Sequence, residues 1–262
     1  MPILHANNAD FYYELHGTGK PVILIAGYTC DYSAWEMLLE NLTRHFQVLT
    51  FDNRGVGQTT DHNAPLSAEL MAQDVIALAD QLNLAKPHII GQSMGGTIAQ
   101  AVASQYPDKI DKLGILTSSS QWREAMLRGL KSLLAMRESD IDFELIFSAT
   151  LPWVFGNDFL QDKKAIIEFK QAILDNPYPQ SINDQARQFK VLENFNGAAQ
   201  LKNIKAPTLI AYATQDLLTL PHESSYMASQ IKHSTLIEFD CGHGIMLERP
   251  KQLSETLIKF FL

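Results

Sequence analysis

The chain of 262 residues is 46% hydrophobic, enough to bury the core of one large α/β domain or of a core domain carrying an insertion. Its 29 acidic and 21 basic residues leave a net charge of −8, and the basic residues form no dense run, which argues against a nucleic-acid surface or an anionic-membrane patch. No apolar stretch approaches the ~20 residues that span a bilayer, and Met1-Pro2-Ile3-Leu4-His5 lacks the basic start and long apolar core of a secretory signal, so no membrane insertion and a cytoplasmic location are expected. The two cysteines, Cys30 and Cys241, give neither a disulfide framework nor zinc-site spacing and read as free thiols.

In chain order, Ile3-Leu4-His5, the turn signal Asn7-Asn8 and Asp10 to Leu15 predict an N-terminal β-hairpin. The rhythm then changes. Val22-Ile23-Leu24-Ile25-Ala26, Val48-Leu49-Thr50-Phe51, His88-Ile89-Ile90 and Leu113-Gly114-Ile115-Leu116 are short, nearly continuous apolar runs, as in strands buried on both faces of a parallel sheet. Helical patterns at Ser33 to Leu42, Ser67 to Leu82 and Thr97 to Ser104 separate them, each long enough to cross over the sheet and return. The spacing predicts a doubly wound α/β fold.

After Thr117 the alternation stops for about eighty residues, where a simple crossover requires only a dozen or so. Helix-like stretches at Trp122 to Met136, Asp142 to Ser148, Asp162 to Leu174 and Asn183 to Leu192 fill the gap, broken by Pro152, Gly156, Pro177 and Pro179. The reading is a helical lid over residues 119–202 inserted into a core made of residues 1–118 and 203–262. The α/β rhythm resumes with a strand at Leu209 to Thr214, a helix near His222 to Gln230, a strand at Thr235 to Phe239 and a closing helix at Leu253 to Phe260.

Chemistry concentrates in Gly91-Gln92-Ser93-Met94-Gly95, a G-x-S-x-G pattern between an apolar strand and a run of small helix-forming residues. A serine hydroxyl is a weak nucleophile at neutral pH, and catalysis needs it on a sharp turn beside a base. Gly91 and Gly95, lacking Cβ atoms, let strand and helix approach around Ser93. On a parallel sheet reactive groups gather at the carboxyl ends of strands, so a histidine just after a late strand is the base to look for. Of eight histidines, His243 meets this requirement, on the loop Cys241-Gly242-His243-Gly244, whereas His88 begins a strand and faces the other end. Asp216, directly after the strand from Leu209, is the carboxylate to orient it. Asp240 reads instead as the cap of the loop that carries His243.

The order Ser93, Asp216, His243 is that of α/β-hydrolases. The turn Asp52-Asn53-Arg54-Gly55-Val56-Gly57 resembles that family's D-x-R-G-x-G turn, and Gly242-His243 with Glu248-Arg249-Pro250 resembles its closing motif. Over essentially its full length the chain thus resembles an α/β-hydrolase of the esterase and lipase superfamily, which implies a mostly parallel central sheet flanked by helices with the lid inserted after Leu116. The resemblance implies that Asp52 and Arg54 are structural, and that the backbone N–H groups of Met94 and Tyr28 form the oxyanion hole. Relatives commonly carry His-Gly before the second donor, where this chain has Ala26-Gly27.

The expected reaction is acyl transfer through an ester on Ser93, releasing the acid of a small or medium, largely apolar carboxylic ester, lactone or thioester, with neither metal nor organic cofactor. Trp122, Met126, Trp153 and Phe155 are candidates for an apolar substrate pocket beneath the lid. The small-molecule substrate is the expected partner. An acyl-carrier protein would need the lid residues Arg123, Arg128, Lys131 and Arg137 to form a basic patch. The same scaffold also serves carbon-carbon bond hydrolases, cofactor-free haloperoxidases and perhydrolases, and non-catalytic ligand-binding receptors, and these stand as alternatives. An epoxide hydrolase or dehalogenase would place an aspartate where Ser93 stands.

Overall fold

The computed structural model describes residues 2–139 and 141–262. The chain opens with a hairpin of β1 (Ile3–Ala6) and β2 (Ala9–His16). Asn7 and Asn8 form its turn, both with positive φ (44° and 59°), the backbone that a two-residue hairpin loop demands and asparagine tolerates. There follow β3 (Lys20–Ile25), a 3-10 turn over Tyr32–Trp35, α1 (Glu36–Leu42), β4 (Phe46–Phe51), the short β5 (Thr60–Asp61) and α2 (Ala68–Gln81). The N-cap Ser67 starts α2 by accepting the Leu70 N–H at 3.1 Å. Next come β6 (His88–Gln92), α3 (Met94–Gln105) and β7 (Leu113–Leu116).

Between β7 and β8 the described residues form five α-helices: α4 (Glu124–Glu138), α5 (Phe143–Val154), α6 (Asn157–Gln161), α7 (Lys163–Leu174) and α8 (Ile182–Asn194). The chain ends with β8 (Thr208–Ala213), α9 (Pro221–Gln230), β9 (Ser234–Phe239), α10 (Ile245–Glu248) and α11 (Pro250–Phe261). Pro152 does not break its helix as the sequence suggested. It lies in the last turn of α5, which continues to Val154. A proline that close to the helix end forfeits one intrahelical bond and leaves little helix to distort. The stop comes instead at Phe155-Gly156, and the short α6, β5 and α10 carry no periodicity long enough to read.

The strand order is β1-β2-β4-β3-β6-β7-β8-β9, with β5 beside β2. From β4 to β9 neighbouring strands run parallel, and β2 is antiparallel to β4. Alternation along β3 sends Ile23 and Ile25 into an apolar layer with α2 and α3, and Val22 and Leu24 into a second layer with α1 and α11. Burial on both faces explains the unbroken apolar runs. From β3 the chain goes to β4 on one side, and later β6 takes the other side of β3. The carboxyl ends of β3 and β6 therefore flank a topological switch point, where open α/β sheets form their crevice. Among the described residues no helix is long and apolar enough to cross a membrane.

Candidate active site

Ser93 occupies the single residue between β6 and α3, with φ 56° and ψ −120°. A non-glycine residue there stores roughly 1–3 kcal/mol of strain, and it persists only where the surroundings fix it. Here the Ser93 N–H donates to the Leu116 carbonyl at 2.9 Å, while the Ser93 carbonyl accepts the Ser118 hydroxyl at 2.7 Å and the Gly96 N–H at 2.9 Å. The turn is tight enough that a Cβ on Gly95 would fall 2.0 Å from the Ile25 carbonyl oxygen. Ser93 is 8% exposed, and its hydroxyl makes no hydrogen bond among the described residues.

Asp216 follows β8 and is almost wholly buried. Its Oδ1 accepts the N–H groups of Leu218 (2.7 Å) and Thr219 (2.9 Å), and its Oδ2 accepts the Thr219 hydroxyl at 2.6 Å and lies 2.8 Å from His243 Nδ1. Three donors besides the imidazole hold that carboxylate in one orientation. A hydrogen on Nδ1 facing Asp216 leaves Nε2 as the basic nitrogen of a neutral imidazole. His243, also buried, is fixed through its own backbone: its carbonyl accepts from Gln92 Nε2 and Thr117 Oγ1, each at 3.3 Å. Glu248 grips the same loop by accepting the Gly242 N–H at 2.9 Å, and takes the Gly156 N–H at 3.0 Å with its other oxygen. Burial raises the Glu248 carboxyl above its ordinary pKa, and those two amides work against the rise.

The structure thus joins Asp216 to His243 directly and sets the His243 loop against the elbow through Gln92, the residue before Ser93. Among the described residues no hydrogen bond links Ser93 to His243. Sequence reasoning passed over Gln92, Thr117 and Thr219. Gln92 and Thr117 gave no signal because their roles depend on the His243 loop meeting the elbow across the rim, and Thr219 gave none because its bond to Asp216 depends on how their shared loop folds.

The loop after β3 completes the crevice. A Cβ on Gly27 would lie 3.2 Å from the Ser93 Cβ and 2.6 Å from Gln92 Oε1, so only glycine lets the loop come this close. Gly27 and Cys30 close a four-residue turn, Cys30 N–H to Gly27 carbonyl at 3.2 Å, with Thr29 at φ 65°. The backbone N–H groups of Tyr28 and Met94 have no hydrogen-bond partner among the described residues, and Met94 opens a helix whose first N–H groups lack intrahelical acceptors. Two free donors therefore flank Ser93. Burial pushes the Tyr28 phenol up to about 12, and its hydroxyl is buried without a partner.

Of the four pocket candidates, Trp122 and Met126 lie in the apolar layer beside α3, where the Trp122 indole N–H donates to Thr97 Oγ1 at 3.1 Å. Trp153 is half-buried and packs its ring over Gly129. Phe155 stacks on Phe159 with ring centroids 3.9 Å apart, and its ring lies 2.7 Å from where a Gly244 Cβ would stand. Phe155 is thus the one placed against the His243 loop. Asp52 accepts the N–H groups of Tyr32 (2.8 Å) and Gln58 (2.7 Å), and burial pushes its carboxyl up to about 6. Arg54 forks onto Asp74 with two bonds of 2.7 Å, so both residues tie down their turn. Asp240 is exposed and accepts from Thr214 and Gln215, as a loop cap does. Cys30 and Cys241 are both free thiols. Among the described residues no group of three His, Cys, Asp or Glu side chains is arranged to hold a metal ion.

Known proteins bear on this geometry. The protein provisionally named carbamate hydrolase RutD of Azorhizobium caulinodans is 28% identical, over 99% of this chain and 98% of its own. The 3-oxoadipate enol-lactonase 2 of Acinetobacter baylyi is 24% identical, over 98% and 97% of the two chains. In three dimensions the crystal structure of the enol-lactonase from Burkholderia xenovorans superposes with a TM-score of 0.88 at 22% identity, covering 99% of each chain. The sequence profile of the alpha/beta hydrolase fold matches residues 20–250, nearly the whole sheet and every loop at the crevice, and the chain belongs to the α/β-hydrolase family.

Proposed function

We propose that this chain is a serine hydrolase that cleaves a carboxylic ester, lactone or thioester of a small to medium, largely apolar acyl group. The observation that carries the reading is the Asp216–His243 contact of 2.8 Å, with the His243 loop fastened through Gln92 to the elbow of a strained Ser93. Ser93 Oγ attacks the acyl carbon while His243 Nε2 takes its proton. Negative charge develops on the carbonyl oxygen between the N–H groups of Tyr28 and Met94, and such donors lower the barrier by several kcal/mol each. The α3 N-terminus adds a favourable partial charge. As the tetrahedral intermediate collapses, the imidazolium protonates the leaving oxygen or sulfur. Water then attacks the acyl-enzyme, gives its proton to Nε2, and frees the acid and Ser93. Asp216, held by three other donors, stabilises the imidazolium without taking the proton itself.

A panel of aryl esters of graded chain length, with lactones and thioesters, tests the substrate range. A fluorophosphonate probe tests the nucleophile. Wild type hydrolyses at least one class and takes up the probe at Ser93, and Ser93→Ala loses both by ~10⁴-fold or more while keeping its melting temperature. Ester hydrolysis surviving at the wild-type rate in Ser93→Ala overturns the proposal.

A further inference from the structure

Helix α8, in the insertion, reaches the turn beside the nucleophile. The Gln188 side chain is fully buried, and its Oε1 accepts the Thr29 N–H at 3.0 Å while its Nε2 donates to the Arg54 carbonyl at 2.8 Å. Gln180 Nε2 adds a donor to the same Oε1 at 3.0 Å and another to the Gly55 carbonyl at 2.6 Å. The amide orientation of Gln188 is therefore set on both sides.

Its acceptor meets the one peptide of the turn that has two stable settings. In the four-residue turn Gly27 to Cys30, Tyr28 has negative φ and Thr29 positive φ (65°), the type II arrangement, which calls for glycine or asparagine at the Thr29 position. A β-branched side chain there opposes it. Rotating the Tyr28–Thr29 peptide by half a turn gives the type I arrangement, with Thr29 at negative φ, where a β-branched residue is at ease. That rotation would withdraw the Thr29 N–H from Gln188 and aim the Tyr28 carbonyl toward it, oxygen against oxygen. The bond to Gln188 thus selects the strained setting, and the adjoining peptide is the one that carries the Tyr28 N–H.

We infer that Gln188 is a positioning residue for catalysis: from the insertion it locks the Gly27–Cys30 turn in its strained setting and so holds the Tyr28 N–H toward the oxyanion. The inference rests on the serine-hydrolase reading above. Gln188 touches no reacting atom, and its effect falls on the transition state, where the oxyanion has formed, more than on binding of the uncharged ester.

The test uses purified full-length protein with an aryl ester turned over by wild type. Gln188→Met keeps length and volume but loses the acceptor, and Gln188→Asn keeps the amide but shortens its reach. Both are expected to lower kcat by about 10- to 100-fold, short of the loss of a whole oxyanion donor, with KM within about twofold. A trifluoromethyl ketone, which forms the charged tetrahedral adduct, should lose affinity in proportion to kcat/KM across the variants, whereas the carboxylate product should not. Adding Thr29→Gly to Gln188→Met removes the penalty on positive φ and is expected to recover at least about tenfold of the lost kcat. A helix-packing role for Gln188 would not be rescued by a glycine on another loop. Unchanged kcat in folded Gln188→Met and Gln188→Asn overturns the inference, as does a loss that Thr29→Gly fails to relieve. If Gln188→Met does not fold, Gln188→Asn with and without Thr29→Gly decides by the same criteria. Ser93→Ala separates the two levels: turnover in that variant sinks the serine-hydrolase reading, whereas a silent Ser93→Ala beside a fully active Gln188→Met sinks only the role of Gln188.

Discussion

Gly95→Ala tests how closely the elbow and the loop after β3 depend on one another. The added methyl would lie 2.0 Å from the Ile25 carbonyl oxygen, and 2.7 Å from both the Ile25 carbonyl carbon and the Ala26 carbonyl oxygen. These are main-chain atoms at the end of β3, and the Ala26 carbonyl is itself held by Asn53 Nδ2 at 3.1 Å, so no side chain can swing aside. Reaching an ordinary carbon-oxygen separation requires the start of α3 and the end of β3 to part by about 1 Å, a displacement at reacting groups that costs on the order of 100-fold in rate. Overpacking of this kind also destabilises by about 1–3 kcal/mol, or a fall of roughly 3–10 °C in melting temperature for a chain of this size. The assay is kcat on the best aryl ester together with a calorimetric melt. The expected variant melts earlier and loses kcat well beyond what its folded fraction explains, because the parting lies between Ser93 and the turn bearing the Tyr28 N–H. A Gly95→Ala protein with wild-type kcat and melting temperature refutes the argument that backbone contact at this point sets the geometry.

Thr219→Val removes the hydroxyl that donates 2.6 Å to Asp216 Oδ2 and leaves both backbone bonds to Oδ1 in place. Losing one hydrogen bond to a charged acceptor costs about 1.5–3 kcal/mol, and kcat is expected to fall about tenfold or more in steady-state assays, whereas wild-type kcat would show the hydroxyl to be dispensable. His88 lies at the opposite end of β6, its Nδ1 buried without a hydrogen bond, 3.7 Å from an Asp111 carboxylate oxygen, and its ring 5.1 Å from Phe261, and burial pushes its pKa down to about 4. Between pH 6.5 and about 4 the unfolded chain binds a proton at this residue that the folded chain does not, so stability falls with falling pH in that window and levels off below it. Asp52, raised to about 6, acts with opposite sign, stabilising the fold relative to higher pH as it takes up its proton. His88→Phe cancels only the first effect. Its stability relative to wild type should therefore rise by up to about 3 kcal/mol from pH 7 to pH 4 in denaturant melts, and a difference that does not change with pH contradicts the assignment.

The strands of the core were legible because burial on both faces leaves a nearly continuous apolar run, as in Val22 to Ala26 and Leu113 to Leu116. The Asp216–His243 contact was legible from placement alone, since a parallel sheet puts every strand's carboxyl end on one rim. What remained hidden were contacts made by unremarkable polar residues, two across that rim and one within the Asp216 loop. Gln92, Thr219 and Gln188 sit at positions where the sequence shows only a helix, turn or strand end, and their partners lie 151, 3 and 159 residues away. The position of Pro152 misled for a related reason: its effect depends on how much helix follows, which residue type does not reveal.

The segment between β7 and β8 is fastened to the loop after β3 and to the loops that carry Asp216 and His243. Gln188 holds the Thr29 N–H, the Val154 carbonyl accepts the Gly244 N–H at 2.7 Å, and Gln215 Oε1, beside Asp216, accepts the Asn157 N–H at 2.7 Å. Arg123, just before α4, bonds the Leu217 carbonyl at 3.0 Å and the Glu223 carboxylate at 3.2 Å, bracing the loop that carries Asp216. Each of these bonds contributes about 0.5–1.5 kcal/mol relative to its replacement by water, so together they hold the loops in their present form. An opening that spares α4, α8 and the Val154–Asn157 corner would break none of them. Helix α7 carries none of these bonds and contributes no buried residue, Ile167 and Leu174 are exposed along it, and its Phe169 ring packs on Phe147 and Phe155 at centroid distances of 6.1 and 4.9 Å. On the proposed serine-hydrolase reading, motion that admits substrate is expected at α7, where the Phe169 contacts with Phe147 and Phe155 would be exchanged, while the groups around Ser93 keep their bonds. On that reading, substitutions that loosen α7 are expected to change KM, and substitutions that break the bonds from α4, α5 and α8 are expected to change kcat in steady-state assays.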